Sequence, residues 1–473
     1  MPGAAFFDLD RTLLQGASGP IFSAALRRAG LAPSRTIPGE SLLYGIFNAV
    51  GENVPSIALA RQAVRLAKGK SPEAVRAAAA GVASELARAV QPFAAKLFAE
   101  HRAAGRPLVL ATTTPHDLVR PLADLLGLDD VVATRYRVGA DGRYDGALDG
   151  PFVWSTGKLT AIREWAGRHG IDLSESYAYS DSVYDTPMLS AVGHGVVVNP
   201  DGPLRLIAVA RHWPTIHLDV PPGVPKLFGL EPQQVAMAFA RPALFPYARF
   251  DIDGTDRIPR TGPAIIVANH RSYFDVSALA LTIARSGRPV RFLGKKEVFD
   301  APIVGQIVKA MGGIRVDRGT GSDEPLRAAA DALDAGQLVA VMPQGTIPRG
   351  PAFFDPKLRG RWGVARLYQM SRAPVIPVGL WGTEKVWPRS ELLPNVLNVL
   401  NPPTIRVRVG KPVKLVGEDL DEDTRKIMKA IRRLLPDEAR EQRDRSPDEL
   451  RRTYPRNYKG DPAAEAVRRP GTD

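Results

Sequence analysis

Short, mostly apolar runs alternate with helix-length stretches along most of this chain, and no other feature constrains its fold as tightly. One series falls at residues 4–9, 108–112, 177–180 and 195–198, and a second at 264–268, 290–293, 338–342, 375–380 and 405–409. Apolar, strand-like runs separated by helices point to a sheet covered by helices on both sides. Each series therefore predicts an α/β domain. Residues 15–95, between the first two runs, are too long for a loop. They contain the alanine-rich stretch 74–89 and predict a helical cap over the strand ends. Pro214, Pro221, Pro222, Pro225 and Pro232 mark a break, which puts domains at 1–220 and 233–420 on either side of a linker at 221–232. The second domain is expected to open with a helix near 233–245. The tail, 421–473, carries dense charge of both signs. It predicts one helix at 424–435 and disorder from about Arg451.

The net charge of +13 is unevenly distributed. Residues 221–420 hold 27 Lys and Arg against 17 Asp and Glu, whereas residues 1–220 hold 22 against 21. An excess of that kind suits an anionic membrane or a phosphorylated ligand. With 7% aromatics and no zinc-finger, basic-zipper or ribonucleoprotein pattern, nucleic acid is not expected. The chain has no cysteine, so thiolate chemistry and disulfides are excluded and a reducing compartment is suggested. No leader pattern and no apolar run of about 18 residues is found, so the expected location is the cytoplasm. Residues 235–250 mix Phe239, Leu244, Phe245, Tyr247 and Phe250 with Arg241 and Arg249. That mixture suits either a membrane interface or packing on the core.

Two groups of polar residues stand at the ends of these apolar runs. The first begins with Asp8 and Asp10 in Phe-Phe-Asp-Leu-Asp-Arg-Thr, two carboxylates on one side of an extended strand. Such a pair repels itself unless a cation intervenes, and Mg²⁺ prefers oxygen ligands of this kind. Thr112, in a run of three threonines, Lys158, and the second acidic pair Asp181 and Asp185 complete an inventory suited to phosphoryl transfer. Asp can be the covalent nucleophile of such a site. In the second group, Asn-His-Arg-Ser-Tyr-Phe-Asp puts His270 and Asp275 after an apolar run. An imidazole oriented by a carboxylate is a general base. With no cysteine and no Gly-x-Ser-x-Gly elbow in the chain, direct activation of a substrate hydroxyl is the natural use of it.

The order of the first group resembles the haloacid dehalogenase-like phosphatases, in the branch that includes phosphoserine phosphatase, over about residues 4–212. The resemblance implies a Rossmann-like parallel sheet with a helical cap. It implies Asp8 as nucleophile, Asp10 as acid and base, and Thr112 and Lys158 on the phosphoryl group. It also implies Asp185 as a supporting acid and Mg²⁺ held at Asp8, Asp10 and Asp181. Residues 245–415 resemble the glycerolipid acyltransferases, the family of lysophosphatidate acyltransferase, in four ordered blocks. These are Asn269–Asp275, the stretch from Gly294 to Arg318, Met-Pro-Gln-Gly-Thr-Ile-Pro-Arg at 342–349, and Pro-Val-Ile-Pro-Val-Gly at 374–379. The resemblance implies His270 and Asp275 as the catalytic pair and Arg318 as a cation for the acceptor's phosphate. It also implies contributions from Gln344, Gly345 and Thr346, with acyl-CoA or an acyl-carrier protein as donor. The third block departs from the family, with Gln344 in place of glutamate and Ile347 in place of arginine, which leaves the acceptor's identity open.

Together these features predict a two-domain enzyme that acylates a 1-acylglycerol-3-phosphate-like lysophospholipid and hydrolyses a phosphomonoester, attached peripherally to the cytoplasmic face of an anionic membrane. The alternative is a phosphatase directed at phosphoserine or a small metabolite, whose second domain binds lipid. The sequence does not fix an oligomeric state.

Overall fold

The computed structural model describes residues 2–33, 54–226, 229–316, 324–441 and 445–459. They form two compact units, Met1–Pro222 and Gly223–Asp473.

Both units are α/β. The first holds β1 (Ala5–Phe7), β2 (Leu108–Pro115), β3 (Asp130–Thr134), β4 (Tyr136–Val138), β5 (Tyr144–Leu148), β6 (Tyr177–Ser180), β7 (His194–Val198) and β8 (Thr215–Ile216). Six of these make a parallel sheet in the order β3-β2-β1-β6-β7-β8. The three residues of β1 lie at its centre, with Phe7 opposite Leu110 on one neighbour and Tyr179 on the other. Successive side chains of a strand point to opposite faces. Phe7 accordingly enters a cluster with Phe98, Leu110 and Tyr179, and Phe6 one with Ile162 and Trp165 on the other face. Burial on both faces is why this segment reads as a continuous apolar run.

The insert after β1 contains helices Gly19–Arg28, Val54–Leu66 and Pro72–Arg88. The last starts at Ser71, whose Oγ accepts from Ala74 N at 3.3 Å. It buries Val75, Ala79, Val82, Ala83 and Leu86 at helical spacing. The β4–β5 hairpin joins the insert, since Gly69 N donates to Tyr144 O and Tyr144 N to Lys70 O. Arg27, Arg28, Arg61 and Arg65 lie on insert helices; Arg35 and Glu40 are outside the described residues.

The second unit holds β9 (Arg249–Asp253), β10 (Ala264–Ala268), β11 (Val290–Lys295), β12 (Ile314–Val316), β13 (Leu338–Val341), β14 (Val375–Trp381) and β15 (Thr404–Val409), in the order β12-β11-β13-β10-β14-β15-β9. All are parallel except that β15 runs against β14, with β9 parallel to β15. Residues 233–245 do not form one helix: Pro232–Phe239 is helical, Pro242–Leu244 is a 3-10 turn, and β9 follows. Of the aromatics at 235–250, Phe245, Tyr247 and Phe250 ring Phe274 at centroid distances of 5.6–6.2 Å, so they belong to the core, while Phe239 and Leu244 are exposed. Part of the tail is ordered against this unit. Thr453 Oγ1 accepts from Gly350 N at 2.7 Å and Tyr454 is buried. Residues 460–473 are outside the described residues.

Candidate active sites

In the first unit the polar residues gather where β1, β2 and β6 end. Asp8 follows β1, and its N–H donates to Tyr179 O. Asp181 follows β6, so two carboxylates end adjacent strands. Lys158 arrives from the first turn of helix Thr156–His169, and its side chain is fully buried. Its Nζ donates to Asp8 Oδ1 at 2.8 Å and to Asp185 Oδ2 at 2.7 Å. Gly157 permits that entry, because a Cβ there would stand 2.1 Å from Phe152 O. Asp185 is held in turn by Ser180 Oγ at 2.7 Å. Thr112, at the end of β2, is buried, and its Oγ1 accepts from Thr114 N.

Burial pushes the Asp8 carboxyl up to about 7; Lys158 pulls against this, and Asp185 adds repulsion. Burial also raises Asp10, opposed by Ser18 N, which donates to its Oδ1 at 2.5 Å. Asp10 stands in a tight turn where Arg11 has φ 61°, so its carboxylate meets the start of the insert. Asp8, Asp10 and Asp181 therefore do not converge as three ligands, and no group of three acidic or imidazole side chains among the described residues does. Mg²⁺ that also binds a phosphate is commonly held by only one or two carboxylates and water. The pair Asp8 and Asp181 fits that demand, with Asp10 left on Ser18. Sequence reasoning missed Arg11 and Thr12, which lie 3.2 Å from the two oxygens of Asp181. It also missed Ser18 and Ser180. Arg11, Thr12 and Ser18 belong to short, irregular segments without periodicity, and Ser180 is the last residue of β6.

In the second unit β10 ends at Ala268, and the His270 motif turns into helix Asp275–Ala284. Asn269 fixes the turn: its Nδ2 donates to Leu380 O and its Oδ1 accepts from Leu380 N, both at 2.8 Å. Asp275 is fully buried and meets four donors. Its Oδ2 faces His270 Nδ1 at 2.8 Å and accepts from Arg271 N at 2.6 Å and Ser272 N at 2.8 Å, while Oδ1 accepts from Thr383 Oγ1 at 2.5 Å. A carboxylate with these partners accepts from the ring, which assigns the proton to Nδ1 and leaves the Nε2 lone pair for a substrate hydroxyl. Gln344 joins the site through its Oε1, which accepts from His270 N at 2.7 Å. An amide oxygen serves there as a carboxylate oxygen would, which accounts for a neutral residue at this position.

Gly345 follows with φ 73°, and Thr346 completes the turn. A Cβ on Gly345 would lie 3.1 Å from Arg361 Nε. Arg361, which sequence reasoning did not single out, buries Nε and one Nη in this place with no hydrogen-bond partner among the described residues. Ile347 is buried, and Arg318 lies outside the described residues. Arg271 turns away from His270 to Glu384 at 3.0 Å and stacks between Phe353 and Trp381. Thr383, which grips Asp275, is 108 positions away in sequence, and no local pattern announces it.

Residues 5–190 match the family model of haloacid dehalogenase-like hydrolases, and residues 249–381 match the Acyltransferase model. The chain is 38% identical over 223 residues to the "Inhibition of morphological differentiation protein" of Streptomyces azureus, covering 46% of this chain and 79% of that protein. It is 35% identical over 216 residues to "Phosphoserine phosphatase SerB1" of Mycobacterium tuberculosis, covering 45% and 70%. A solved 1-acyl-sn-glycerophosphate (LPA) acyltransferase, PlsC, from Thermotoga maritima is 22% identical with a TM-score of 0.33, covering 42% of this chain and 77% of that one.

Proposed function

We propose, for a chain that belongs to the haloacid dehalogenase-like hydrolases in its first unit and to the acyltransferases in its second, a bifunctional enzyme of glycerophospholipid metabolism. In the first unit Asp8 attacks the phosphorus of a phosphomonoester. Asp10 protonates the leaving oxygen and then takes a proton from the water that cleaves the aspartyl-phosphate. Lys158 and Thr112 meet the phosphoryl oxygens, and Asp185 keeps Lys158 in position. When bound at Asp8 and Asp181, Mg²⁺ supplies charge neutralisation at those oxygens.

In the second unit His270 Nε2 takes the proton of an acceptor hydroxyl as that oxygen attacks an acyl thioester of CoA or an acyl-carrier protein. Asp275 stabilises the imidazolium that results. The acceptor is a 1-acylglycerol-3-phosphate-like lysophospholipid. Its phosphate meets Arg361, whose buried unpaired donors suit an anion, together with Arg318. Gln344, Gly345 and Thr346 form the turn between that phosphate and His270. A lipid acceptor and the basic excess of residues 221–420 support work at the cytoplasmic surface of an anionic membrane. Among the described residues no helix is long and apolar enough to cross one.

The four-donor cage of Asp275 carries this reading, because a carboxylate so held orients one imidazole tautomer and has little other use. The test is mass-spectrometric product analysis of the full chain with acyl-CoA and a panel of lysolipids, using His270→Ala and Asp8→Asn as separate controls. Equal acylation by His270→Ala removes His270 as the base, and absence of acyl transfer from the parent removes the acyltransferase assignment. Buried Ile347, which offers the site no charge, favours a second reading: a phosphatase of phosphoserine or another small metabolite whose second unit only binds lipid. Vesicle binding without acyl transfer, together with hydrolysis of soluble phosphate esters in preference to lipid phosphates, selects it.

A further inference from the structure

Between β14 and β15 the chain leaves the second unit in a way that its core does not explain. Leu392 and Leu393 are each 71% exposed, Leu397 is 87% and Leu400 98%, with Val396 and Val399 near half. Six large apolar side chains within nine residues are thus presented to water. Single exposed leucines are ordinary; a contiguous set is not.

The base of this loop is built firmly. Glu391 N donates to Pro388 O, Trp387 Nε1 to Glu391 O at 3.1 Å, and Asn395 N to Val386 O at 2.9 Å. The base also touches the His270 motif. Ser272 Oγ donates to Trp387 O at 2.6 Å, and the Tyr273 and Trp387 rings meet edge to face at 5.5 Å. Topology puts the loop at the sheet edge that bears His270, since β10 and β14 are parallel and both end there. Helices Lys296–Asp300 and Val304–Ala310 leave the same edge from β11, and they expose Val298, Ile303, Val304 and Ile307. Charge indicates the occupant. Residues 392–403 carry no charge, and the unit that bears them has a basic excess, with 27 Lys and Arg against 17 Asp and Glu over residues 221–420. Apolar tips without charge, on a unit with a basic excess, suit a lipid surface with anionic headgroups.

We propose that residues 391–401 form a wedge that enters the apolar layer of an anionic bilayer and holds the His270 site at the lipid surface. This rests on the acyltransferase reading only for its purpose, since the wedge itself is argued from exposure and charge. The test uses the full chain, sedimented with vesicles of phosphatidylcholine with and without phosphatidylglycerol. Leu397→Ser with Leu400→Ser should weaken partitioning about tenfold or more while leaving the melting profile unchanged. Leu397→Trp should show a blue-shifted emission quenched by brominated lipid. Parent protein that ignores vesicles, a double variant that binds as the parent does, or a tryptophan at 397 that stays in water each overturns the proposal. So does a parent dimer that the double variant dissociates, which makes the loop a protein interface. The wedge stands and the acyltransferase reading falls if the parent inserts but transfers no acyl group. The reverse holds if the parent acylates a micellar acceptor while the tryptophan at 397 remains in water.

Discussion

Replacing Asp275 by asparagine separates two things that this carboxylate does. Its Oδ2 takes His270 Nδ1, Arg271 N and Ser272 N, and its Oδ1 takes only the Thr383 hydroxyl. An asparagine oxygen in the first position keeps all three contacts, because two backbone N–H groups there reject an amino group. The amino group then faces Thr383 Oγ1, which rotates to accept. The ring keeps its tautomer, and only the charge is lost. For opposite charges about 4 Å apart near a protein surface the interaction is about 4 kcal/mol, which corresponds to two to three orders of magnitude in kcat for a step that makes imidazolium. Asp275→Ala differs, because it strands two buried N–H groups at about 1–3 kcal/mol each. Acyl-transfer rates and thermal unfolding of both variants distinguish the effects. Asp275→Asn should be nearly inactive yet melt close to the parent, while Asp275→Ala should lose both. An asparagine variant within about threefold of parental rate would refute the role given to the charge, and one that melts like the alanine variant would refute the role given to the cage.

Asp8→Asn should abolish phosphate-ester hydrolysis without lowering the melting temperature, since it removes a buried carboxylate that Asp185 repels; chelation by EDTA should likewise stop hydrolysis and spare acyl transfer, both read on the same preparation. His101 is buried between Tyr179 and Arg106, and burial together with Arg106 holds its pKa down to about 4. The unfolded chain takes up that proton near 6.5. This contribution to stability is therefore present above pH 6.5 and drains as pH falls toward 4, by up to roughly 3 kcal/mol; denaturation curves across that range should flatten in His101→Gln. Arg291 is fully buried against Glu231 at 2.6 Å. Arg291→Met should cost about 3–5 kcal/mol in chemical denaturation by leaving that carboxylate unpaired, and the added change Glu231→Gln should recover most of it.

Both central sheets were legible because their strands are buried on two faces. Phe6 and Phe7 read as one apolar run for the same reason that they enter two separate cores. Edge elements were harder to read. The residues of β9 alternate as Arg-Phe-Asp-Ile-Asp, a half-buried strand pattern, but joined to the aromatics before them they read as one amphipathic stretch. Strand β12 is only three residues long. At the sites, the pairs Asp8 with Asp10 and His270 with Asp275 were visible because each lies within a few positions at a strand end. Thr383 and Arg361 come from other segments that tertiary packing alone brings in. Spacing alone did not show where the Asp10 carboxylate points: Asp8 and Asp10 would share a side in an extended strand, but β1 stops at Phe7, and the turn at Arg11 takes Asp10 to Ser18.

Asn269 has a wider consequence. Its amide answers Leu380 with one donor and one acceptor, as a peptide unit on a neighbouring strand would. The β10–β14 ladder thus gains a rung made from a side chain, one residue past the last backbone pairing at Ala268 and Val378. That rung ties the start of the His270 turn to the stretch that delivers Thr383 three residues later. The general base and the residue gripping its carboxylate are therefore spaced by the repeat of the sheet rather than by the conformation of two loops. Aspartate at 269 would fit the same volume but could not donate to Leu380 O, so shape alone does not secure the alignment.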